Sequence, residues 1–322
     1  MASPRAVSRE SLKAGTRGSL LALTQTESVA GEVRRLFPGT RVEVVRIKTT
    51  GDKITDAPLS KIGGKNLFTK EIEEALLGRK IDFAVHSLKD VPTDLPEGLA
   101  IGAVLERRDA HDCLISKKGR DIRSLPERAR VGTSSLRRQA QILAIRPDLR
   151  LQNLRGNLDT RLKKLEEGSY DAIVAAACGL GRLAAELKDR LGKLTLRVIP
   201  YEDMLPAVGQ GFLAVEMRSG DAKVGEMLAA LEHGPSRAAA DCERAFLKTL
   251  QGGCQVPIGA LAEVRGEELV LEGLVASLDG KKILRDRSLG PLRSSEEIGA
   301  ALAEKLLRSG GDRILDAIWN IR

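Results

Sequence analysis

One order of residues occurs twice in this chain, and that repetition constrains the fold more than any single motif. Asn66-Leu67-Phe68-Thr69-Lys70, an amphipathic stretch, Gly78 and the apolar run Asp82-Phe83-Ala84-Val85 come first. Asn157-Leu158-Asp159-Thr160-Arg161, a second amphipathic stretch, Gly168 and Asp171-Ala172-Ile173-Val174 follow at an offset near 90 residues. Apolar residues at helical spacing, a glycine stop and a short unbroken apolar run read as a helix feeding a buried parallel strand. Arg41 to Ile47, where valine alternates with charge, reads as a half-buried strand, so the order strand, helix, strand gives an α/β class. A second echo runs in the same order. Gly15-Thr16-Arg17-Gly18-Ser19-Leu20 opens a helix carrying Gln25, and Gly132-Thr133-Ser134-Ser135-Leu136 opens one carrying Gln139. The expectation is two similar α/β lobes flanking a cleft, each presenting a helix N-terminus whose free N–H groups and dipole attract anions.

The pattern places a first domain at 13–105 with 205–228, a second at 106–204 and a third at 229–322. Leu205-Pro206-Ala207-Val208-Gly209-Gln210-Gly211 would be the crossing back to the first lobe, and two crossings make a hinge. In the third domain a helix over 236–250, strands around 260–264, 269–277 and 282–288 and a helix over 295–307 make a small α+β unit.

With 322 residues, 42% of them hydrophobic, each of these domains can bury a core, and with aromatics at 2% the cores must be Leu, Val, Ile and Ala. A net charge of +8 points to an anionic partner. Scarce aromatics leave no stacking platform for single strands, and no continuous basic helix offers itself to a duplex, so small polycarboxylates or phosphates fit better than nucleic acid. Four cysteines without paired spacing, and no apolar run of about 18 residues, point to the reducing cytosol and to no membrane span. Met1 to Leu12 lacks the apolar centre of a secretory signal and is expected to be a disordered extension.

Chemistry concentrates at a few places. Thr133, Ser134 and Ser135 stand at a strand-to-helix turn just before Arg137 and Arg138, where hydroxyls and guanidinium forks can hold carboxylates; the alternative is an ordinary helix cap followed by solvated arginines. Arg155, Arg161, Arg17 and Lys65 repeat the basic theme. His86-Ser87-Leu88-Lys89-Asp90-Val91-Pro92 follows the buried Asp82 to Val85 strand, at the end where open α/β sheets put ligands. Asp90 beside Lys89 can serve as acid, base or cation stabiliser, against the plainer readings of a turn former and a core histidine held by backbone. Cys254, in Gln251-Gly252-Gly253-Cys254-Gln255-Val256-Pro257, has the loop setting of an accessible thiol and no neighbouring ligand for a metal; a small buried hydrophobe is the alternative. Gly179-Leu180-Gly181-Arg182-Leu183-Ala184 after an apolar run is a weak dinucleotide fingerprint, which keeps a nicotinamide-dependent dehydrogenase open.

With these residues in view, the chain resembles the porphobilinogen deaminase (hydroxymethylbilane synthase) family from about Ala14 to about Leu315. The motifs are Gly64-Lys65, Ala84 to Pro92, Val131 to Gln139, Arg155-Gly156-Asn157, Leu205 to Gly211 and Gln251 to Gly259. Leu20 and Asn66 depart from the family pattern at positions that carry no charge. The resemblance implies a transferase of haem biosynthesis that condenses four porphobilinogen molecules head to tail, releases ammonia each time and frees hydroxymethylbilane by hydrolysis. It implies a dipyrromethane cofactor in thioether linkage to Cys254 and an essential aspartate at Asp90. Arg17, Ser19, Gln25, Lys89, Thr133, Ser135, Arg137, Arg138, Arg155, Arg161 and Arg182, with Lys65 and Ser134 as neighbours, would take the acetate and propionate groups. It further implies two lobes like a periplasmic solute-binding protein plus a small α+β C-terminal domain, and a monomer. A two-lobed anion receptor without catalysis is the alternative from another class.

Overall fold

The computed structural model describes residues 10–53, 67–117, 121–252 and 256–320. Its strands are β1 (Ser11–Arg17), β2 (Arg41–Ile47), β3 (Phe83–Ser87), β4 (Leu99–Val104), β5 (Asp112–Ser116), β6 (Arg130–Gly132), β7 (Arg150–Gln152), β8 (Ala172–Ala176), β9 (Thr195–Ile199), β10 (Leu213–Arg218), β11 (Ile258–Arg265), β12 (Glu268–Ala276) and β13 (Ile283–Pro291). The helices are α1 (Leu20–Leu36), α2 (Thr50–Lys53), α3 (Lys70–Leu77), α4 (Leu136–Ile145), α5 (Leu158–Glu166), α6 (Ala177–Arg182), α7 (Lys188–Leu191), α8 (Ala222–Ala229), α9 (Gly234–Thr249), α10 (Ser295–Leu306) and α11 (Asp312–Trp319). The described chain divides into two compact units, one of 10–53, 67–107 and 212–237, the other of 108–117, 121–211, 238–252 and 256–320.

The first unit holds a five-stranded sheet in the order β2-β1-β3-β10-β4, and the second holds one in the order β7-β6-β8-β5-β9. Within each, the first three strands are parallel and the last two pair antiparallel. Even the register repeats. Ala14 faces Phe83 and Gly15 faces Ala84 in one sheet, as Val131 faces Ala172 and Gly132 faces Ile173 in the other. The repeated aspartate has one job in both copies. The Asp82 carboxylate accepts from the Lys13 N–H at 2.8 Å while its own N–H donates to the Lys13 carbonyl, and Asp171 does the same with Arg130. Each aspartate thereby closes the open end of a parallel pair, where backbone donors would otherwise lack partners.

Apolar alternation covers both faces of the first sheet. Leu12, Ala14, Phe83, Val85 and Val215 pack with Val29 and Val33 of α1 and Met227 of α8, and Ala84 packs on the other face with Ile72 and Leu76 of α3. Full burial of a side chain such as Phe83 is worth about 1.5–3 kcal/mol. In the second unit Leu114, Val131, Ile142 and Val174 form the equivalent core. The antiparallel sheet β11-β12-β13 in the same unit joins α4 through Leu261, Leu274 and Ala276 against Ala140 and Leu205. Gly280, at φ +71°, lets a turn press on α4 so closely that a Cβ would lie 2.4 Å from the Ala140 carbonyl oxygen. Among the described residues no helix is long and apolar enough to cross a membrane.

Candidate active site

Within the first unit, β3 ends at Ser87 and a single 3-10 turn, Leu88–Asp90, carries Asp90 into solvent. That turn is pinned by the Leu88 N–H on the Phe212 carbonyl at 3.1 Å and by Gln25 Nε2 on the Ser87 hydroxyl at 3.1 Å. A pocket of mixed polar and apolar lining opens beside it, formed by Arg17, Ser19, Leu21, Ala22, Gln25, Phe68, Thr69, Val85, His86, Ser87 and Asp90. Ser19 caps α1 by accepting from the Ala22 N–H, so the positive end of that helix borders the pocket. Lys89 is half-buried on the same turn. Lys65 and Cys254 lie outside the described residues.

The charges expected to await a ligand are partly engaged. Arg17 is bound at 2.5 Å to the Asp52 carboxylate, and its guanidinium lies over the Phe68 ring, 4.2 Å from the centroid. Burial pushes the Asp52 carboxyl up, but the hydrogen bond and charge of Arg17, with bonds from Thr49, outweigh it and hold the group below the ordinary value. Gln25 is buried and spends its amide on Ser87. The sequence alternative of a core histidine held by backbone is corrected, since buried His86 has Nε2 at 3.0 Å from the Glu216 carboxylate.

In the second unit the hydroxyls at the β6–α4 turn organise the turn itself. Thr133 Oγ1 accepts from the Ser135 N–H, Ser134 binds both the carbonyl and the N–H of Leu154, and Ser135 caps α4 through the Arg138 N–H. This is the cap of the plainer reading, but the arginines after it are not solvated. Arg137 and Arg138 are 4% and 6% exposed and converge on fully buried Asp112, at 2.8 and 2.7 Å. Gln210 Nε2 donates to the same carboxylate at 3.0 Å. Burial raises the Asp112 pKa, yet the two guanidinium charges outweigh it and hold the carboxyl well below its usual range. Two buried cations thus share one anion, and the Nε atoms of both arginines have no hydrogen-bond partner among the described residues. Arg161 donates to the Gly156 carbonyl at 2.8 Å, and Arg155 is half-buried on the same loop. Arg182 ends α6 and reaches the Gly211 carbonyl at 3.3 Å; burial, with the charge of Arg108, holds its pKa below that of a free guanidinium.

Asp52, Asp112, Gln210 and Glu216 are the residues that motif reading missed. Asp112 had a signal, being an aspartate that heads an apolar strand as Asp82 and Asp171 do. The dinucleotide reading is corrected. β8 ends at Ala176 and α6 begins at Ala177, so Gly179 and Gly181 lie inside a helix, and no glycine turn remains to cradle a pyrophosphate. Among the described residues no cluster of His, Cys, Asp or Glu is set to hold a metal.

Comparison with known proteins agrees with this chemistry. Residues 12–226 match the family model described as porphobilinogen deaminase, dipyromethane cofactor binding domain, and residues 238–308 match its C-terminal domain. The porphobilinogen deaminase of Syntrophobacter fumaroxidans is 48% identical over 96% of this chain and 98% of its own length. That of Moorella thermoacetica is 51% identical over 95% and 96%. Among solved structures, an ancestral arginine-binding protein bound to arginine is similar at a TM-score of 0.40 and 16% identity, over 69% of this chain and 91% of that one. By its sequence over nearly its whole length, the chain belongs to the porphobilinogen deaminase family.

Proposed function

We propose that Asp90 is the acid–base group of this chain and that the pocket beside it receives the reacting ring of the substrate. As a porphobilinogen deaminase the chain condenses four porphobilinogen molecules head to tail, releases ammonia at each step and frees hydroxymethylbilane by hydrolysis. The substrate's amine must leave with its full complement of protons while positive charge develops on the pyrrole. An exposed carboxylate on a pinned turn can stand against that charge and pass a proton. Pre-set geometry makes this effective, since the turn is already tied to Phe212, just before β10, and to α1. Dipyrromethane, in thioether linkage to Cys254, would supply a pyrrole nucleophile that stays with the protein.

The donor set suits polycarboxylate ligands. The observation that carries the reading is the excess of buried positive charge where Arg137 and Arg138 share Asp112, with half-buried Arg182 answered by a carbonyl. Burying such charge costs several kcal/mol per ion unless an anion compensates. Acetate and propionate groups would supply that anion. Arg137, Arg138, Arg155, Arg161 and Arg182, with Thr133, Ser134 and Ser135 shaping the turn, are assigned to these groups in the second unit. Arg17, Ser19, Gln25 and Lys89, with Lys65, are assigned to them in the first. Cofactor attachment is assigned to Cys254. The reading extends to three domains at 13–105 with 205–228, 106–204 and 229–322, and to a cytoplasmic monomer without a nucleic-acid partner.

Intact mass and turnover test it together. The purified chain should be heavier than its sequence by one dipyrromethane, the excess should vanish in Cys254→Ser, and Asp90→Asn should load the cofactor yet nearly lose turnover. An unmodified, active wild type would sink the attachment, and near-normal turnover of Asp90→Asn would sink the acid–base assignment.

A further inference from the structure

In the first unit every residue of β10 is buried, and among them stands Glu216, fully out of solvent in the middle of a sheet. A carboxylate so placed is costly unless it is partnered. Its hydrogen-bond partner is His86, diagonally across the strand pair: Glu216 faces Ala84 and His86 faces Ala214. Those two alanines leave the room in which the diagonal side chains meet. Glu216 Oε2 lies 3.0 Å from His86 Nε2, while Oε1 has no hydrogen-bond partner among the described residues. A carboxylate oxygen accepts, so Nε2–H is the donor and the bond holds the imidazole in one orientation. Among the described residues, Glu73, buried on α3, is a further titratable group facing the pair, and Asp90 lines the same pocket as His86. Burial, together with the neighbouring Glu216 charge, pushes the Glu73 carboxyl above its ordinary value.

His86 also lines the pocket and is followed directly by Ser87 and the turn that holds Asp90. We propose that Glu216 is a positioning residue of the reaction: through its bond to His86 it fixes the end of β3 and with it the turn that carries Asp90. The inference rests on the assignment of Asp90 above. Glu216 touches neither substrate nor reacting atoms on this account, so its removal should slow turnover without weakening substrate binding.

The test uses the cofactor-loaded enzyme with Glu216→Ala, Glu216→Gln, His86→Ala and the double variant His86→Ala/Glu216→Ala. Loading is read by intact mass and folding by thermal denaturation, with kcat and KM measured separately. Glu216→Ala should load, keep KM within about threefold and lose about 10–100-fold in kcat, the scale of a misplacement near 1 Å. Glu216→Gln, whose amide oxygen still accepts from Nε2–H, should recover most of that loss. The double variant should be no slower than the slower single one, because both changes break one link. Wild-type kcat in Glu216→Ala, a Glu216→Gln as slow as Glu216→Ala, a loss confined to KM, or additive losses in the double variant would each overturn the proposal. If Glu216→Ala does not fold, the decision passes to the other two. A slow His86→Ala beside a nearly normal Glu216→Gln supports the link, and any other pairing overturns it. Asp90→Asn keeps the two readings apart. If it turns over normally the assignment of Asp90 fails, whereas a slow Asp90→Asn beside a fast Glu216→Ala removes only the role of Glu216.

Discussion

Asp112→Asn removes the one negative charge that two buried guanidinium groups share. The native carboxylate accepts at 2.8 Å from Arg137, at 2.7 Å from Arg138 and at 3.0 Å from Gln210. Asparagine keeps a single acceptor oxygen and turns an NH2 donor toward a guanidinium. At least one charge-assisted bond is lost outright, at about 1.5–3 kcal/mol. Breaking a buried pair from one side costs more, about 3–5 kcal/mol, because the partner charge stays buried and uncompensated. The larger figure applies here, since two cations are stranded. Urea unfolding followed by Trp319, the single tryptophan of the chain, should therefore show a loss of about 3–5 kcal/mol near neutral pH. The sign of the pH dependence follows from the depressed folded pKa. The contribution of Asp112 is complete above the ordinary carboxylate value of about 4 and is lost as pH falls toward the folded value, so wild type and variant should converge on acidification. A triple replacement, Asp112→Leu with Arg137→Met and Arg138→Met, should regain most of the stability because no charge is left buried. The reasoning is refuted if Asp112→Asn stays within about 1 kcal/mol of wild type, or if the gap widens as pH falls.

Gly280→Ala places a methyl group 2.4 Å from the Ala140 carbonyl oxygen at a φ of +71°, so it should destabilise the second unit by at least about 1–3 kcal/mol; an unchanged unfolding midpoint would contradict the close approach of that turn to α4. Arg137→Leu or Arg138→Leu should block cofactor loading, which intact mass reads directly, and a fully loaded variant would count against their role as clamps. Burial, with Asp109 and Asp112 nearby, pushes the Cys113 thiol up to about 12, and burial with Glu243 and Asp241 also raises Cys242, so alkylation of the native protein at pH 8 should spare both. Prompt labelling of either cysteine in peptide maps would show that these sites are more open than the packing indicates.

The parallel half of each large sheet was legible in the sequence because its signals are local. Helix period, glycine stop and the aspartate that opens each buried strand fall within about 20 residues of one another, at Asp82 and again at Asp171. The antiparallel strand beside them was not. In the first unit that place is filled by β10, which arrives after the second lobe, and in the second by β5, which precedes its neighbours. The same sheet position is thus reached from opposite ends of the chain, and no periodicity records it. The electrostatic partners of the site escaped for a similar reason. His86 meets Glu216 across 130 residues and Arg137 meets Asp112 across 25. Nothing near His86 or Arg137 in the sequence announces either carboxylate.

By itself, the sequence determined the α/β class, a doubled lobe, a basic chain poor in aromatics suited to small polycarboxylates, and, in motifs such as the one around Asp90 and the Gly-Gly-Cys run at Cys254, a family. Hydrophobic period and backbone freedom are properties of neighbours along the chain, so they can be read there. Only the tertiary structure decided how the charges are spent: Asp52 on Arg17, Asp112 on Arg137 and Arg138, Glu216 on His86. Whether a charge is free for a ligand depends on what lies within about 4 Å and on how much water is excluded, and both are settled by folding rather than by order along the chain.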